Sequence, residues 1–188
     1  NTKYIIQSDQ KGANVVVQNP FALGNCWLVK GVQWVNNAVE EMKALNNFNP
    51  RDTAIIDIAY KGKIMPFAIP DSSDYIKQTS FDNDNIKYES NTKGSQLAVF
   101  SEIFYKDWNA YIDGKKSDII KTDYVLRALM IPQGKHTIEF KMEPFAYSMG
   151  DKITFIFSWI LFILIIVTIF IESRKLFLEN KSSDKAST

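Results

Sequence analysis

A single cysteine, Cys26, and a single histidine, His136, remove several kinds of chemistry from this 188-residue chain at the outset. No disulfide can close within it, and no zinc site can be assembled from Cys and His ligands. A Ser/His/Asp or Cys/His arrangement would depend on His136 alone. That residue stands beside a turn, on what reads as the solvent-facing side of a strand, and is expected to be exposed and passive. Cys26 reads as a small buried hydrophobe rather than a reactive thiol. A charge surplus is missing too: 22 Lys and Arg against 21 Asp and Glu leave a net charge of +1. There is thus no basic footprint for nucleic acid and no acidic tail. Nucleophile elbows, phosphate-binding Gly loops and metalloprotease helices are absent as motifs, and no cofactor or catalytic residue is expected. The chain opens Asn1-Thr2-Lys3, without Met or a signal-like apolar stretch. That opening reads as a removed leader or as a piece of a longer chain.

Aromatic residues, in contrast, make up 13% of the chain, and Asn and Asp crowd its apparent loops. This is the composition of a folded β-rich domain and not of disorder. Residues 1–150 are expected to form one such domain, on the extracytoplasmic side of a cell membrane. From Ile153 to Ile171 the sequence then carries no charge, with Thr154, Ser158 and Thr168 its only polar groups. Those 19 residues span about 28 Å as a helix, close to the thickness of a hydrocarbon core. A buried core helix of that length would show a polar face, so a transmembrane helix at 153–171 is expected. Arg174, Lys175, Lys181 and Lys185 follow it, and Lys135, Lys141 and Lys152 precede it. The positive-inside bias is small but favours a cytoplasmic end. The tail at 172–188 reads as short, polar, cytoplasmic and disordered.

Strand patterning is clearest between residues 96 and 142. Gln96–Tyr105 is apolar on both parities and is expected to be covered on both faces. Trp108–Ile112 alternates and ends at Asp113-Gly114, the preferred two-residue hairpin turn, with Ser117–Lys121 as the return strand. Val125–Ile131 and a Pro132-Gln133-Gly134 turn lead into His136–Met142. There Ile138, Phe140 and Met142 point inward and Thr137, Glu139 and Lys141 face water. Further strands are expected at Asn14–Gln18, Cys26–Trp34, Thr53–Ile58, Ile76–Phe81 and Asn85–Ser90. One helix interrupts them, with Val35, Val39, Met42 and Leu45 as its apolar stripe, a cap at Asn36 or Asn37, and Glu40 in capping-box position. That many short strands with tight turns predict an antiparallel two-sheet sandwich of jelly-roll or immunoglobulin-like type.

Three groups invite a functional reading. Asp82-Asn83-Asp84 could share a divalent cation, but Asx-rich segments between strands favour turns and the segment supplies too few ligands. No metal is expected. Arg127, inside an apolar strand, needs a partner, and Asp113, Asp118 and Asp123 are near in sequence. A structural ion pair is the first reading, a ligand contact the second. Trp108, Tyr111 and Tyr105 could line up as an aromatic platform for a sugar ring, against the plainer reading as core. Trp108, Tyr111 and Arg127 are therefore the candidate glycan contacts.

Linked motifs add a resemblance. Asn19-Pro20-Phe21-Ala22-Leu23-Gly24-Asn25, Val35-Asn36-Asn37-Ala38 with Glu40-Glu41 and Ala44-Leu45, and Phe48-Asn49-Pro50 form one group. Phe100–Tyr105, Trp108–Lys115, Tyr124–Ala128, Ile131-Pro132 with Gly134-Lys135-His136, Glu143-Pro144 and the final span form another. Together they resemble the C-terminal region of the bacterial YfhO-like membrane protein family, over nearly all of the chain. The resemblance implies a polytopic protein similar to glycosyltransferases that use lipid-linked sugars, some implicated in decorating cell-wall polymers. In such enzymes the catalytic acid lies in an early extracytoplasmic loop, so none is carried over to these residues. Implied partners are membrane lipid, the rest of the polytopic chain, and a cell-envelope glycan or lipid-linked sugar, with no nucleic acid. Two readings stay open: a domain capping a sugar transferase, or a non-catalytic carbohydrate-binding or assembly module.

Overall fold

A computed structural model describes residues 2–8 and 12–186, without the side chains of Phe145, Ser148 and positions 175–186. The chain divides into two units, the first ending at Glu143 and the second starting at Pro144.

The first unit is built on two antiparallel sheets. Strands β1 (Tyr4–Ser8) and β2 (Asn14–Gln18) form a separate ribbon. They are followed by β3 (Cys26–Val29), β4 (Gly31–Val35), helix α1 (Ala38–Ala44) and β5 (Thr53–Asp57). Then come β6 (Tyr75–Phe81), β7 (Asn85–Thr92), β8 (Gln96–Ile103), β9 (Trp108–Ile112) and β10 (Lys115–Ser117). The last three are β11 (Ile120–Thr122), β12 (Leu126–Ile131) and β13 (Gly134–Met142). One sheet has the order β10-β9-β13-β7-β6 and the other β11-β12-β8-β3. The predicted sandwich is what forms.

Alternation along each strand explains the packing. Ile86, Tyr88, Ala110, Ile138 and Phe140 of the five-stranded sheet meet Ala98, Phe100, Leu129 and Ile131 of the four-stranded sheet in one core. Tyr88, Phe100 and Phe140 pack edge to face, with ring centroids 4.8–5.9 Å apart. The opposite parity of the four-stranded sheet, Leu97, Val99, Ile120 and Ala128, makes a second core with Ala54 and Ile56 of β5, closed by Trp27, Tyr60, Ile64 and Phe67. Strand β8 is thus covered on both faces, as its continuous apolar pattern predicts. The Asp113-Gly114 turn has φ of 49° and 77°, the paired positive values that select Asp-Gly between β9 and β10.

Four expectations are corrected. Cys26–Trp34 is two strands in two sheets: the N–H groups of Lys30 and Gly31 both donate to the Asp52 carbonyl, at 2.8 and 3.1 Å. That contact turns the chain onto β5, with which β4 pairs in parallel. Ser117–Lys121 likewise splits, since the return strand closes at Ser117 and Ile120–Thr122 crosses to the other sheet. Helix α1 begins at an Asn37 cap, whose side chain accepts from the N–H groups of Val39 and Glu40, while Glu40 accepts from the N–H of Asn36. Its stripe divides: Val35 is buried and Leu45 half-buried, but Val39 and Met42 are exposed and Glu41 is buried in their place. Strand β1, which no sequence signal marked, pairs along all of β2.

The second unit is the helix α2, Phe145–Ala186. Its segment Met149–Arg174 is long and apolar enough to cross a membrane. Only Glu143 and Pro144 stand between β13 and α2. The tail expected to be disordered continues this helix to Ala186. Leu, Lys, Glu and Ala are good helix formers there, and no Gly or Pro interrupts them. Within the span, Ser158 and Thr168 hydroxyls donate to carbonyls one turn back, which satisfies them without a partner.

Candidate functional site

The face of the five-stranded sheet away from the core is the open polar surface of the first unit. Strand pairing sets it out in rungs: Tyr111 beside Glu139 and Lys87, Asn109 beside Lys141 and Asn85, and Thr137 beside Glu89 and Lys77. Charges of opposite sign alternate across the strands. Lys77 Nζ lies 2.8 Å from Glu89 Oε1, and Glu139 takes Lys87 at 3.4 Å and Lys141 at 3.0 Å. The Lys77 pair holds the Glu89 carboxyl below its usual range, and a bond from the Asn85 amide, followed by the Lys141 pair, does the same for Glu139. Lys77 also sits over the Tyr75 ring and Lys141 over the Tyr111 ring, 5.6 and 5.3 Å from the centroids.

The candidate glycan contacts do not share a surface. Trp108 has the parity of Ala110 and Ile112 and packs against the inter-sheet core. Tyr111 has the opposite parity, and its hydroxyl donates to Glu143 Oε2 at 2.8 Å; that bond raises the phenol's pKa. Tyr105 lies half-exposed between β8 and β9. Arg127 is 1% exposed, and its guanidinium carbon is 4.5 Å from the Trp108 ring and 4.4 Å from the Phe140 ring. Trp108 and Arg127 are therefore brought together inside the sandwich, and Tyr111 stands apart from them on the outside.

The partner of Arg127 is Glu102, at 3.6 Å, and none of Asp113, Asp118 or Asp123. Strand β12 runs antiparallel to β8, with Arg127 opposite Phe100 and a bulge before it, so the β8 carboxylate is the one within reach. Asp118 pairs with Lys63 instead. Burial lowers the guanidinium's pKa, and its Nε and Nη1 have no hydrogen-bond partner among the described residues. The Tyr88 hydroxyl likewise has no hydrogen-bond partner within 3.5 Å among the described residues, and burial pushes its pKa up.

Two other buried charges hold backbone in place. Asp123 and Tyr124 both adopt positive φ, 48° and 68°, which costs a non-Gly residue about 1–2 kcal/mol each. Glu41 accepts from the Tyr124 N–H at 2.9 Å. The Asp123 carboxylate accepts from the Ile55 N–H at 2.8 Å while the Asp123 N–H donates to the Ile55 carbonyl at 2.9 Å. One side chain thus continues the edge of β5. Burial pushes the Asp123 carboxyl up to about 6, with nearby Glu41 adding to the rise. Burial also pushes the Cys26 thiol up to about 12, which keeps it protonated and unreactive.

His136 corrects its expectation. It shares the inward parity of Ile138 and its side chain is only 18% exposed. Nδ1 lies 2.6 Å from Asp113 Oδ2 and Nε2 lies 3.0 Å from the Gln133 carbonyl. Two acceptors favour the imidazolium and raise its pKa, the Asp113 bond first. The other Asp113 oxygen accepts from the Thr137 N–H at 2.9 Å, so the hairpin turn is tied to β13 beyond the end of β9. A hollow of about 200 Å³ lies here, lined by Tyr75, Glu89, Ser90, Asp113, Lys135, His136 and Thr137. Sequence reading passed over it because β6 and β7 were expected without their register. Their alternation places Tyr75 and Glu89 outward, and that was the available signal.

A larger hollow, about 480 Å³, lies among Lys3, Gln18, Asn19 and Asn25. Its amides are engaged: Asn19 bonds the Thr2 carbonyl and the Phe21 N–H, and Asn25 bonds Gln78. Asp82 caps its own turn through the Asn83 N–H, and no group of three or more metal-binding side chains occurs among the described residues.

No protein-family model, curated protein or solved structure matches the chain.

Proposed function

We propose that this chain is the membrane-anchored, extracytoplasmic C-terminal part of a polytopic protein similar to lipid-linked-sugar glycosyltransferases, serving it as a non-catalytic domain. The observation that carries the reading is the chain's continuity: a β-sandwich joined through two residues to a helix that can cross a membrane. A domain so tethered works at the bilayer surface, where lipid-linked donors and envelope polymers are found. The charged groups of its interior support a non-catalytic role. Glu41, Asp123 and Arg127 are each occupied in holding backbone or core. The motif resemblance is what favours a transferase parent over other membrane proteins.

A second reading, a self-standing carbohydrate-binding or assembly module, draws on the outward polar sheet with its two tyrosines. Analysis of envelope polysaccharide from cells with and without the protein separates the two. Loss of one sugar substituent, repeated when Lys77 and Glu89 are charge-reversed at unchanged protein level, supports the transferase reading. An envelope of identical sugar composition contradicts it and leaves the module.

A further inference from the structure

We propose that the hollow beside the Asp113 turn seats one uncharged sugar ring of an envelope glycan. The proposal deepens the extracytoplasmic reading by giving the glycan a place on this chain, and it does not require a transferase parent.

The hollow measures about 200 Å³, below the roughly 300–1,000 Å³ of sites for drug-sized ligands and suited to a single small ring. Its walls combine one apolar surface with several polar groups. The Tyr75 ring, 37% exposed, offers a flat apolar face for the C–H side of a pyranose. Glu89 spends Oε1 on Lys77 and on the Tyr75 hydroxyl, while Oε2 has no partner among the described residues and can accept from a sugar hydroxyl. Lys135 forms no hydrogen bond or ion pair among the described residues, although it lies close enough to Glu89 to help lower that carboxyl's pKa. The Thr137 hydroxyl is exposed and unengaged among the described residues. An acceptor, a cationic donor and a hydroxyl thus converge on one hollow beside an aromatic face.

Charge selects the ligand class. The carboxylates of Glu89 and Asp113 are matched by the ammonium groups of Lys77 and Lys135, with the His136 ring held against Asp113. No single sign dominates, which disfavours both a phosphate and a bare cation and suits a neutral polyhydroxyl ligand. Asp113 and His136 hold each other and the β13 backbone, so the far wall is set before a ligand arrives. The hollow lies at the Asp113 edge of the sheet, where outward Tyr75, Glu89 and Thr137 meet Ser90 and His136 of the inward parity, and it shares no lining residue with the Trp108–Arg127 pair.

Saturation-transfer NMR on the full chain in lipid nanodiscs tests this, with methyl glycosides of glucose, galactose and N-acetylglucosamine as probes. A dozen heavy atoms at ordinary ligand efficiency imply millimolar affinity. At least one probe is expected to receive saturation. Tyr75→Ala and Glu89→Gln should each weaken it about tenfold or more at unchanged melting temperature, the size of one lost hydrogen bond or stacking contact. Tyr111→Ala, on the same face but outside the hollow, should leave it unchanged. No transfer to any probe at tens of millimolar overturns the proposal, as does binding that survives both hollow variants or is lost only in Tyr111→Ala. Such a failure leaves the membrane reading intact, because sidedness and envelope composition are measured separately.

Discussion

The two sheets of the sandwich bury their charges in opposite ways. The four-stranded sheet is covered on both faces, and Arg127 is fixed inside it, stacked between rings and facing Glu102. The turn that joins β11 and β12 is clamped by Glu41 and Asp123. The five-stranded sheet is covered on one face only, and on the other its Lys and Glu side chains pair across strands at Lys77–Glu89 and Lys87–Glu139 and along β13 at Lys141–Glu139. A charge taken out of water must be paid for by fixed partners, whereas one left in water stays available to a ligand. The open sheet is where charge stays free to meet a ligand, and the buried charges belong to the fold.

Removing one member of the buried pair should have the largest effect. Arg127→Ala leaves Glu102 unpaired and opens a cavity between Trp108 and Phe140, and should cost about 3–5 kcal/mol in denaturant unfolding of the solubilised chain. Arg127→Met, which fills the space without charge, should recover most of that loss. If Arg127→Met instead unfolds the domain, the ion pair itself is the stabilising element.

Glu41→Ala should come next, at about 1–3 kcal/mol, since it strands the Tyr124 N–H in a left-handed turn. Val39→Ser on the exposed side of the same helix should fall within about 0.5 kcal/mol.

Two smaller effects depend on pH and have opposite signs. Asp123 binds its proton more tightly when folded, so its contribution is complete below the ordinary value of 3.8 and declines as pH rises through about 6. Asp123→Asn stays neutral and tolerates positive φ, so it should gain on the native chain as pH climbs through that window. On the open sheet, His136 is raised above its ordinary 6.5 and Asp113 lowered below its ordinary 3.8. The His136 contribution is present below 6.5 and fades as pH rises through its folded value; that of Asp113 is present above 3.8 and fades as pH falls through its folded value. Asp113→Asn should therefore destabilise most between those limits, less in alkali, and least in acid below the folded value of Asp113. Melting curves across pH that are parallel for variant and native chain would remove the tie from the turn.

Much of this arrangement was legible in the residues, where the signal was local. The two-parity apolar run of β8, the alternation of β13, the Asp113-Gly114 turn and the uncharged span each identified their element. What stayed hidden depended on partners far along the chain. Nothing near Lys30 announces that its N–H and that of Gly31 meet the Asp52 carbonyl and send the strand into another sheet. The periodicity of α1 favours Val39 and Met42 inward, but a seven-residue helix has too little apolar face to outweigh the left-handed turn that needs Glu41. The partner of Arg127 follows from the β8–β12 register, and nearness in sequence pointed to the wrong carboxylates. Of the three aromatic residues close in sequence, Tyr105 and Trp108 line one hollow while Tyr111, of the other parity on β9, stands apart, a division that only the strand register sets.

Labelling with a membrane-impermeant maleimide tests the proposed extracytoplasmic side of the open sheet most directly. With Cys26 replaced by Ser, single cysteines are put at Lys77, on the outward sheet, and at Ser173, near the far end of the span. In intact cells Lys77→Cys should react at once and Ser173→Cys only after permeabilisation. Reaction of Ser173→Cys in intact cells with Lys77→Cys protected, or release of the chain from membranes by alkaline carbonate, would contradict the account.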